Sequence, residues 1–333
     1  MKNVSAPRLK RLVDRFAGKR ILVVGDLMLD EYIWGQVSRI SPEAPIPVVH
    51  VRRENAMPGG AANVANNLRA LGGGVVLAGI VGDDPTADRL ISLLHRERVK
   101  TPLVLRDASR PTVTKTRVIA HNQQVVRIDR EEIRPIKPKV RETLLEGLRA
   151  WIPRVDGVII SDYHKGLLDE ALVQTVITEA NRRGKIVAGD PKPENIPLFR
   201  GVTVISPNQH EAEQAAHVRI RNRLDLHAAG KRIMNSLFSE AVLITRGEEG
   251  MSLFERDGHV SHIPTVAQEV YDVSGAGDTV ISTLTLGLVA GGSFREAAVA
   301  ANCAAGLTVG EVGVATTTPV ELKRRIGEEP WKS

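Results

Sequence analysis

The chain has 333 residues, 42% of them hydrophobic and 25% charged, which is ordinary for a globular protein with room for one large domain or two small ones. It has no apolar run near the roughly 20 residues that cross a bilayer and no signal-peptide core at its start, which predicts a cytoplasmic protein without a membrane partner. Its net charge of +6 suits anionic ligands, and 3% aromatic residues with no zinc-finger or RNA-binding motif favour phosphate-bearing small molecules over nucleic acid.

Short apolar, β-branched runs alternate with amphipathic helical patterns along most of the chain. The candidate strands are residues 21–26, 75–82, 157–162, 185–190, 202–207 and 241–247, and the candidate helices are residues 85–97, 137–151, 169–183 and 225–239. Continuous apolar strands that alternate with helices predict an α/β fold with a mainly parallel central sheet covered on both faces. Ligands of such sheets bind beyond the carboxyl ends of the strands, where this chain places polar residues.

Two stretches, residues 31–54 and 111–131, break the alternation. Both are rich in strand formers, and the second resembles two strands joined by the polar turn 121–124. They predict a small sheet that protrudes from the main body. An apolar sheet face without a covering helix must close over a ligand or pair with another subunit, so we expect a homodimer through these sheets. With no long linker, residues 1–333 are predicted to form a single domain with this sheet inserted.

The strongest chemical signal lies in the segment Gly275-Ala276-Gly277-Asp278, which precedes a helical apolar pattern. Small residues let a ligand approach the backbone closely, and a helix start offers free N–H groups and a partial positive charge. These features suit a transferring phosphoryl group, while the Asp278 carboxylate would accept the proton of an attacking hydroxyl. From these residues alone, a helix-capping aspartate after a tight glycine turn is the alternative.

Residues 272–279 (DVSGAGDT) resemble the C-terminal signature of the ribokinase-like (PfkB) sugar kinases, with Val273 in place of the usual threonine. Five further segments resemble that family's elements in the same order: 24–30, 58–65 (GGxxxN), 79–84 (GxxGxD), 207–211 (NxxE) and 245–247 (T-[KR]-G). Six ordered matches between about residue 20 and about residue 310 are improbable by chance, so the chain is identified as a member. The resemblance implies a ribokinase-like three-layer α/β/α fold, with the small sheet as its lid, and ATP-dependent sugar phosphorylation with Mg²⁺.

The resemblance also implies a role for each matching position. Asp278 would be the catalytic base, and the backbone of Gly275, Ala276 and Gly277 would bind the phosphoryl group. The sugar would be bound by Asp26, Asp30, Gly59, Gly60, Asn63 and Asp272. The nucleotide would be bound by Asn208, Thr245, Arg246, Gly247, Gly275, Gly277 and Asn302, and Mg²⁺ by Asn208 and Glu211 through water. Structural alternatives remain: strand-end turns for the two aspartates, a helix start for Asn63, a capping box for Glu211 and an incidental polar residue for Asn302.

The segment 38–48 (SRISPEAPIPV) resembles the heptose 7-phosphate kinases, which phosphorylate the anomeric hydroxyl of D-glycero-β-D-manno-heptose 7-phosphate in the synthesis of ADP-heptose for lipopolysaccharide. Segments 115–129, 161–166 and 189–192 resemble the same subfamily. A phosphorylated sugar requires cations beyond those that serve ATP. The candidates are Arg117, Arg127, Lys165 and Lys192, with surface or interface charge as the alternative for each.

No HxGH nucleotidyltransferase element is present, so we expect a stand-alone kinase. Two other functions remain open from the sequence. The first is another sugar kinase of this fold, acting on ribose, fructose 6-phosphate or a nucleoside. The second is a non-catalytic nucleotide-sensing protein on the same scaffold.

Overall fold

The computed structural model describes residues 4–121, 123–266, 275–310, 315–328 and 331. The strands are β1 (Arg20–Gly25), β2 (Leu27–Ile40), β3 (Pro47–Gly60), β4 (Gly74–Val81), β5 (Lys100–Arg106), β6 (Val113–Ala120), β7 (Gln123–Arg130), β8 (Gly157–Ser161), β9 (Ile186–Asp190), β10 (Val204–Ile205), β11 (Ala241–Thr245), β12 (Met251–Glu255) and β13 (Val260–Ile263). The α-helices are α1 (Ala6–Asp14), α2 (Ala61–Ala70), α3 (Pro85–Arg96), α4 (Pro138–Trp151), α5 (Glu170–Asn181), α6 (Gln209–Ala216), α7 (Arg223–Leu237), α8 (Ala276–Val289), α9 (Phe294–Thr308) and α10 (Pro319–Gly327). Short 3₁₀ helices cover Ile152–Arg154, Pro193–Phe199 and Gly247–Glu249.

The main sheet contains nine of the described strands in the order β13-β12-β11-β10-β9-β8-β1-β4-β5. Every pair from β11 to β5 is parallel, and β12 and β13 add an antiparallel edge. Helices cover both faces. Along β1, Ile21 and Val23 join the hydrophobic core beneath α1, α2, α8 and α9, whereas Leu22 and Val24 join the opposite core beneath α4, α5 and α7. This alternation buries both faces of a parallel sheet and confirms the predicted α/β class.

The small sheet consists of the described strands β3, β2, β6 and β7 in that order. It contains two antiparallel pairs, β2 with β3 and β6 with β7, joined by the parallel pair β2 with β6. The prediction of a small separate sheet is therefore confirmed, although β2 and β3 extend to residues 27 and 60, beyond the predicted boundaries. Exposed apolar side chains lie on this sheet and on the β2–β3 connection: Ile40, Ile46, Val51, Val125, Val126 and Ile128. They are compatible with a homodimer, which stays a prediction.

Carboxyl ends of neighbouring parallel strands place several polar residues at one edge of the main sheet. Asp26 follows β1, Asp162 follows β8, Asp190 ends β9 and Thr245 ends β11. Because β2 starts immediately after Asp26, the small sheet leaves the main body at this same edge. None of the described helices is long and apolar enough to cross a membrane.

Candidate active site

Asp278 lies in the first turn of α8 and is 4% exposed. One carboxylate oxygen, Oδ1, accepts a hydrogen bond from the Tyr163 hydroxyl at 2.6 Å, and the other, Oδ2, accepts one from the Asn63 amide Nδ2 at 2.6 Å. Burial raises the pKa of Asp278 to about 6, and the charge of Asp30 adds to the rise, whereas these hydrogen bonds oppose it. The carboxylate is bound by side chains from other elements and does not cap its own helix, because the N-cap residue of α8 is Gly275.

The described residues at the start of α8 leave its N-terminus without a side-chain cap. Gly275 adopts φ +80°, in the left-handed region that favours glycine, and no side chain of the described residues caps the helix. Gly277 is exposed, and a Cβ atom added there would have no described heavy atom within 4 Å. Within the part of the chain that the structure describes, no side chain occupies the N–H groups of this turn, and their role in binding a phosphoryl group stays a prediction. The candidate substrate residue Asp272 lies outside the described residues.

A buried amide network orients Asn63 towards the Asp278 carboxylate. Asn67 Nδ2 donates to the Asn63 backbone oxygen at 3.0 Å and to Asn63 Oδ1 at 3.3 Å. The Thr279 hydroxyl donates to Asn67 Oδ1 at 2.8 Å, so the network returns to α8 one residue after Asp278. Since Asn63 Oδ1 already accepts a hydrogen bond, its Nδ2 is the group that faces the carboxylate, which matches the observed contact.

Asp26 organises the loop that follows β8. Its carboxylate accepts hydrogen bonds from the backbone N–H groups of Tyr163 at 2.9 Å, Lys165 at 3.1 Å and Leu167 at 3.3 Å. It is 4% exposed, and burial raises its pKa while these amides oppose the rise. A direct contact with sugar hydroxyls stays a prediction for this residue. The observed geometry shows Asp26 fixing the backbone that carries Tyr163.

Asp30 lies on β2 beside the turn from β3 into α2. It is 5% exposed, and its Oδ1 accepts a hydrogen bond from Arg117 on β6 at 2.5 Å. A Cβ atom added to Gly59 would overlap Asp30 Oδ2. Gly60 adopts φ +59°, and an added Cβ there would lie 2.6 Å from the backbone oxygen of Asp26. Both glycines therefore leave no room for a side chain beside the two aspartates, and their contact with a sugar stays a prediction.

Replacing Gly59 with alanine should displace the Asp30 carboxylate and raise the KM for the sugar at least about tenfold, the loss expected for one charge-assisted hydrogen bond. The KM for ATP should change less than about threefold, because the residues proposed to bind ATP lie on other elements of the main body. Gly74→Ala is the matched control, since its added Cβ meets only ordinary contacts, the nearest at 3.4 Å. Steady-state kinetics with each substrate varied would measure both constants, and an equal rise in both would contradict the assignment of Asp30 to the sugar.

The basic residues proposed for the second phosphate each contact a carboxylate. Lys192 Nζ lies 2.7 Å from Glu211 and 5.8 Å from the centroid of the Tyr163 ring, and its charge lowers the pKa of Asp278. Lys165 Nζ lies 2.9 Å from Glu131. The other two candidates form the ion pairs Arg117–Asp30 and Arg127–Asp129. The structure thus places Lys192 and Arg117 beside acidic residues of the site, whereas Arg127 lies on β7 with its side chain half exposed.

Asn208 and Glu211 form a capping box at the start of α6, the alternative that the sequence left open. Glu211 N–H donates to Asn208 Oδ1, and Asn208 N–H donates to Glu211 Oε2, both at 2.9 Å. The described residues contain no cluster of three or more histidine, cysteine or acidic side chains able to hold a metal directly. Close by, burial and the charges of Asp278 and Glu211 raise the pKa of Asp190 to about 8. Carboxylate and amide oxygens are the ligands that Mg²⁺ prefers. A cation would also neutralise the neighbouring negative charges of Asp190, Asp278 and Glu211. Asn208 and Glu211 therefore fit an ion held through water.

Asn208 and residues 245–247, four of the residues proposed for the nucleotide, lie next to one another. Thr245 N–H donates to the backbone oxygen of Pro207 at 3.0 Å, and Asn208 forms a parallel bridge with Thr245. Gly247 adopts φ +55° with open space around it. Asn302 on α9 donates from Nδ2 to the Pro264 backbone oxygen at 2.7 Å, so it fixes the chain after β13. Its contact with adenine stays a prediction.

A cavity of about 390 Å³ adjoins these residues and carries excess positive charge. Arg246 lines it together with Arg221, Arg223 and His262, and the carboxylate in its lining belongs to Glu249, which pairs with Arg246. Burial and the charge of Arg223 lower the pKa of Arg246. The electrostatic environment therefore favours an anion, as a nucleotide phosphate would be.

Tyr163 is the site residue that sequence reasoning missed. The segment 161–166 (SDYHKG) contains it, but the charge of Lys165 makes that lysine the candidate that the sequence suggests. A signal was present in its position two residues beyond the end of a buried strand, where ligand-binding side chains concentrate. Its partner Asp278 is 115 residues away in sequence, so their hydrogen bond could not be inferred from local pattern.

Comparisons with known proteins identify the family of the sequence. The family model described as pfkB family carbohydrate kinase matches residues 19–321. The chain is 46% identical over 314 residues to the bifunctional protein HldE of Trichlorobacter lovleyi, covering 94% of this chain and 64% of that protein. It is 48% identical over 306 residues to the HldE of Geobacter metallireducens, covering 92% and 62% respectively. The chain therefore spans just under two thirds of the length of these relatives.

Two solved structures show the same fold at 18% sequence identity. Phosphofructokinase-2 from Escherichia coli in complex with potassium has a TM-score of 0.78 and aligns over 93% of this chain and 98% of that chain. Ribokinase from Arabidopsis thaliana complexed with ribose and ATP has a TM-score of 0.74 and aligns over 92% and 98%. These similarities confirm the predicted ribokinase-like fold.

Proposed function

Because the chain belongs to the pfkB family of carbohydrate kinases, we propose that it transfers the γ-phosphoryl group of ATP to the anomeric hydroxyl of D-glycero-β-D-manno-heptose 7-phosphate. The product would be heptose 1,7-bisphosphate, an intermediate of ADP-heptose synthesis for the lipopolysaccharide inner core. The observation that carries the transfer chemistry is the buried Asp278 carboxylate, held by Tyr163 and Asn63 beside an uncapped helix start. The choice of sugar rests on the sequence resemblance of segment 38–48 and is supported by the identity to HldE proteins.

In the proposed reaction, the sugar hydroxyl donates a hydrogen bond to Asp278, which takes the proton as the oxygen attacks phosphorus. A new O–P bond forms at the sugar, the bond to the β-phosphate oxygen breaks, and ADP leaves. The N–H groups at the start of α8 stabilise the charge on the transferring phosphoryl oxygens, because they point there without needing to reorganise. Asn208 and Glu211 would hold Mg²⁺ through water, and a bound Mg²⁺ supplies charge neutralisation at the phosphates.

The protonation state of Asp278 makes the pH dependence predictable. With its pKa raised to about 6, the carboxylate is ionised and competent above that pH, and competence is lost as the pH falls through 6. We therefore expect kcat/KM to have an acid limb with an apparent pKa near 6 and to fall about tenfold per pH unit below it. Measuring ADP release between pH 5 and pH 9 tests this, and a profile that stays flat down to pH 5 would contradict it.

A substrate panel tests the proposed function directly. ADP release would be followed with ATP, Mg²⁺ and each of five acceptors: the heptose 7-phosphate, the unphosphorylated heptose, fructose 6-phosphate, ribose and a nucleoside. We expect the heptose 7-phosphate to give the highest kcat/KM by at least about a hundredfold, since the second phosphate adds charge-assisted contacts. A higher value for another sugar would assign a different kinase activity, and no ADP release with any acceptor would support a non-catalytic role.

A further inference from the structure

The Tyr163 hydroxyl is a neutral donor held against the proposed base. It lies 2.6 Å from Asp278 Oδ1, and the side chain is partly buried. Burial and the charge of Asp278 raise the pKa of Tyr163 well above its ordinary value of 10, so the phenol keeps its proton throughout the working pH range. The hydrogen bond therefore runs in one direction, from the phenol to the carboxylate.

The position of the Tyr163 ring is set by its backbone and by a neighbouring cation. Tyr163 N–H donates to Asp26, and His164 N–H donates to Asp162 Oδ1 at 2.8 Å, so the peptide groups before and after the tyrosine are both anchored. Lys192 Nζ lies 5.8 Å from the ring centroid. Because these contacts do not involve the hydroxyl, the ring should keep its place when the hydroxyl is removed.

We propose that Tyr163 is a positioning residue of the phosphoryl transfer, whose hydroxyl orients the Asp278 carboxylate and stabilises its ionised form. This inference rests on the proposed function, in which Asp278 accepts the proton. A carboxylate can rotate about its Cβ–Cγ bond, and a single donor on one oxygen leaves that rotation incompletely restrained. The hydrogen bonds from Tyr163 to Oδ1 and from Asn63 to Oδ2 together fix the plane of the Asp278 carboxylate. Each oxygen keeps a further lone pair that can accept from the incoming hydroxyl.

Opposing influences act on the charge of Asp278. Asp30 disfavours the ionised form, as burial does, while Lys192 and the amide of Asn63 favour it. Asp190 adds a further acidic group that interacts with Asp278. A hydrogen bond to the ionised form of an acid lowers its pKa, so the phenol offsets part of the cost of burial. Without it, the carboxylate would hold its proton at a higher pH.

The test is the pH profile of kcat/KM for Tyr163→Phe, with ATP and heptose 7-phosphate as substrates. We expect the apparent pKa of the acid limb to rise by about one pH unit, the shift that corresponds to one hydrogen bond to a charged group. Activity at pH 6 should then fall several-fold more than activity at pH 8.5. The substrate phosphates titrate in the same range, but they do so identically for both enzymes, so the difference reports the protein.

Replacing Tyr163 with 3-fluorotyrosine provides a second variant of almost the same shape. Its more acidic phenol is a stronger donor, so we expect the acid limb to move in the opposite direction, below that of the wild type. This variant keeps the ring and its packing, so the test still works if Tyr163→Phe folds poorly. An acid limb that stays in place in both variants would overturn the proposal, even if the plateau rate or the KM for the sugar changes, because such changes would indicate a structural or sugar-binding role.

Asp278→Asn separates this inference from the proposed function. If that variant keeps its turnover, Asp278 is not the base and the proposed mechanism fails. If it loses turnover while the Tyr163 variants leave the acid limb unshifted, the mechanism stands and only the role of Tyr163 is rejected.

Discussion

Replacing Asp278 with asparagine should lower kcat by about 10² to 10⁴, the contribution expected of a general base. The asparagine side chain has nearly the same shape but cannot accept the proton of the sugar hydroxyl. The oxygen of the asparagine side chain can still accept from the Asn63 amide, and its NH2 group then faces the Tyr163 hydroxyl, which can accept a hydrogen bond. The dissociation constant for ATP should stay within a few-fold of the wild-type value, because the proposed nucleotide contacts involve other residues.

Three measurements make this expectation decisive. Single-turnover kinetics report the chemical step, calorimetry reports ATP binding, and a thermal melt shows whether the variant is folded. Asp88→Asn is the matched control, because Asp88 is an exposed carboxylate on α3 in a surface ion pair with Arg106. Surface pairs of this kind contribute about 0–1 kcal/mol, so the control should keep its kcat. An Asp278→Asn variant that is folded and has unchanged turnover would exclude Asp278 as the base.

Features of the site carried by contiguous residues could be predicted from the sequence. The segment Gly275-Ala276-Gly277-Asp278 places a flexible turn, a helix start and a carboxylate within four residues, and the structure retains that arrangement at α8. The partners of Asp278 could not be predicted in the same way. Tyr163 and Asn63 lie 115 and 215 residues away along the chain, and only the packing of α2 and the loop after β8 against α8 brings them together.

In the fold, too, the positions of the strands follow from local sequence, whereas some of their ends differ from the predicted ones. Buried parallel strands were predictable from their continuous apolar runs, but the candidate strand 202–207 is reduced to Val204–Ile205. Pro207 lacks an N–H group for a ladder, and Asn208 begins the capping box of α6, which together end the strand early. The start of β2 was missed because residues 27–30 were interpreted as part of the sugar-binding segment, whereas they already pair with β3.

Glu211 illustrates a case in which one pattern serves two interpretations. An asparagine followed three residues later by a glutamate predicts both a capping box and the NxxE element of the family. The structure forms the capping box, with Glu211 Oε1 also accepting a hydrogen bond from Lys192. The two roles are compatible, since the box fixes both side chains at the edge of the sheet where a hydrated ion would be held.

Substitution of Asp26 is the second change with a large expected effect. The sequence resemblance implies that Asp26 binds the sugar, whereas the structure shows it holding the loop after β8. Asp26→Ala should lower the free energy of unfolding by about 3–5 kcal/mol, because three backbone N–H groups of the 163–167 loop lose their buried acceptor. Activity should fall with it, since that loop carries Tyr163 to Asp278. Urea unfolding would measure the stability. Asp156→Ala is the control, because it removes one exposed acceptor of the Arg20 N–H group and should cost less than about 1 kcal/mol.

The conservative change Asp26→Asn decides between the two roles of this residue. The oxygen of an asparagine can still accept from part of the loop, but its NH2 group would lie against at least one backbone N–H, and two donors cannot bond each other. We therefore expect an intermediate loss of stability together with a lower kcat. If Asp26 acted mainly on sugar hydroxyls, as the sequence resemblance implies, the variant would keep its urea midpoint and show a raised KM for the sugar alone. Because the carboxylate is buried and occupied by loop amides, we expect the first outcome.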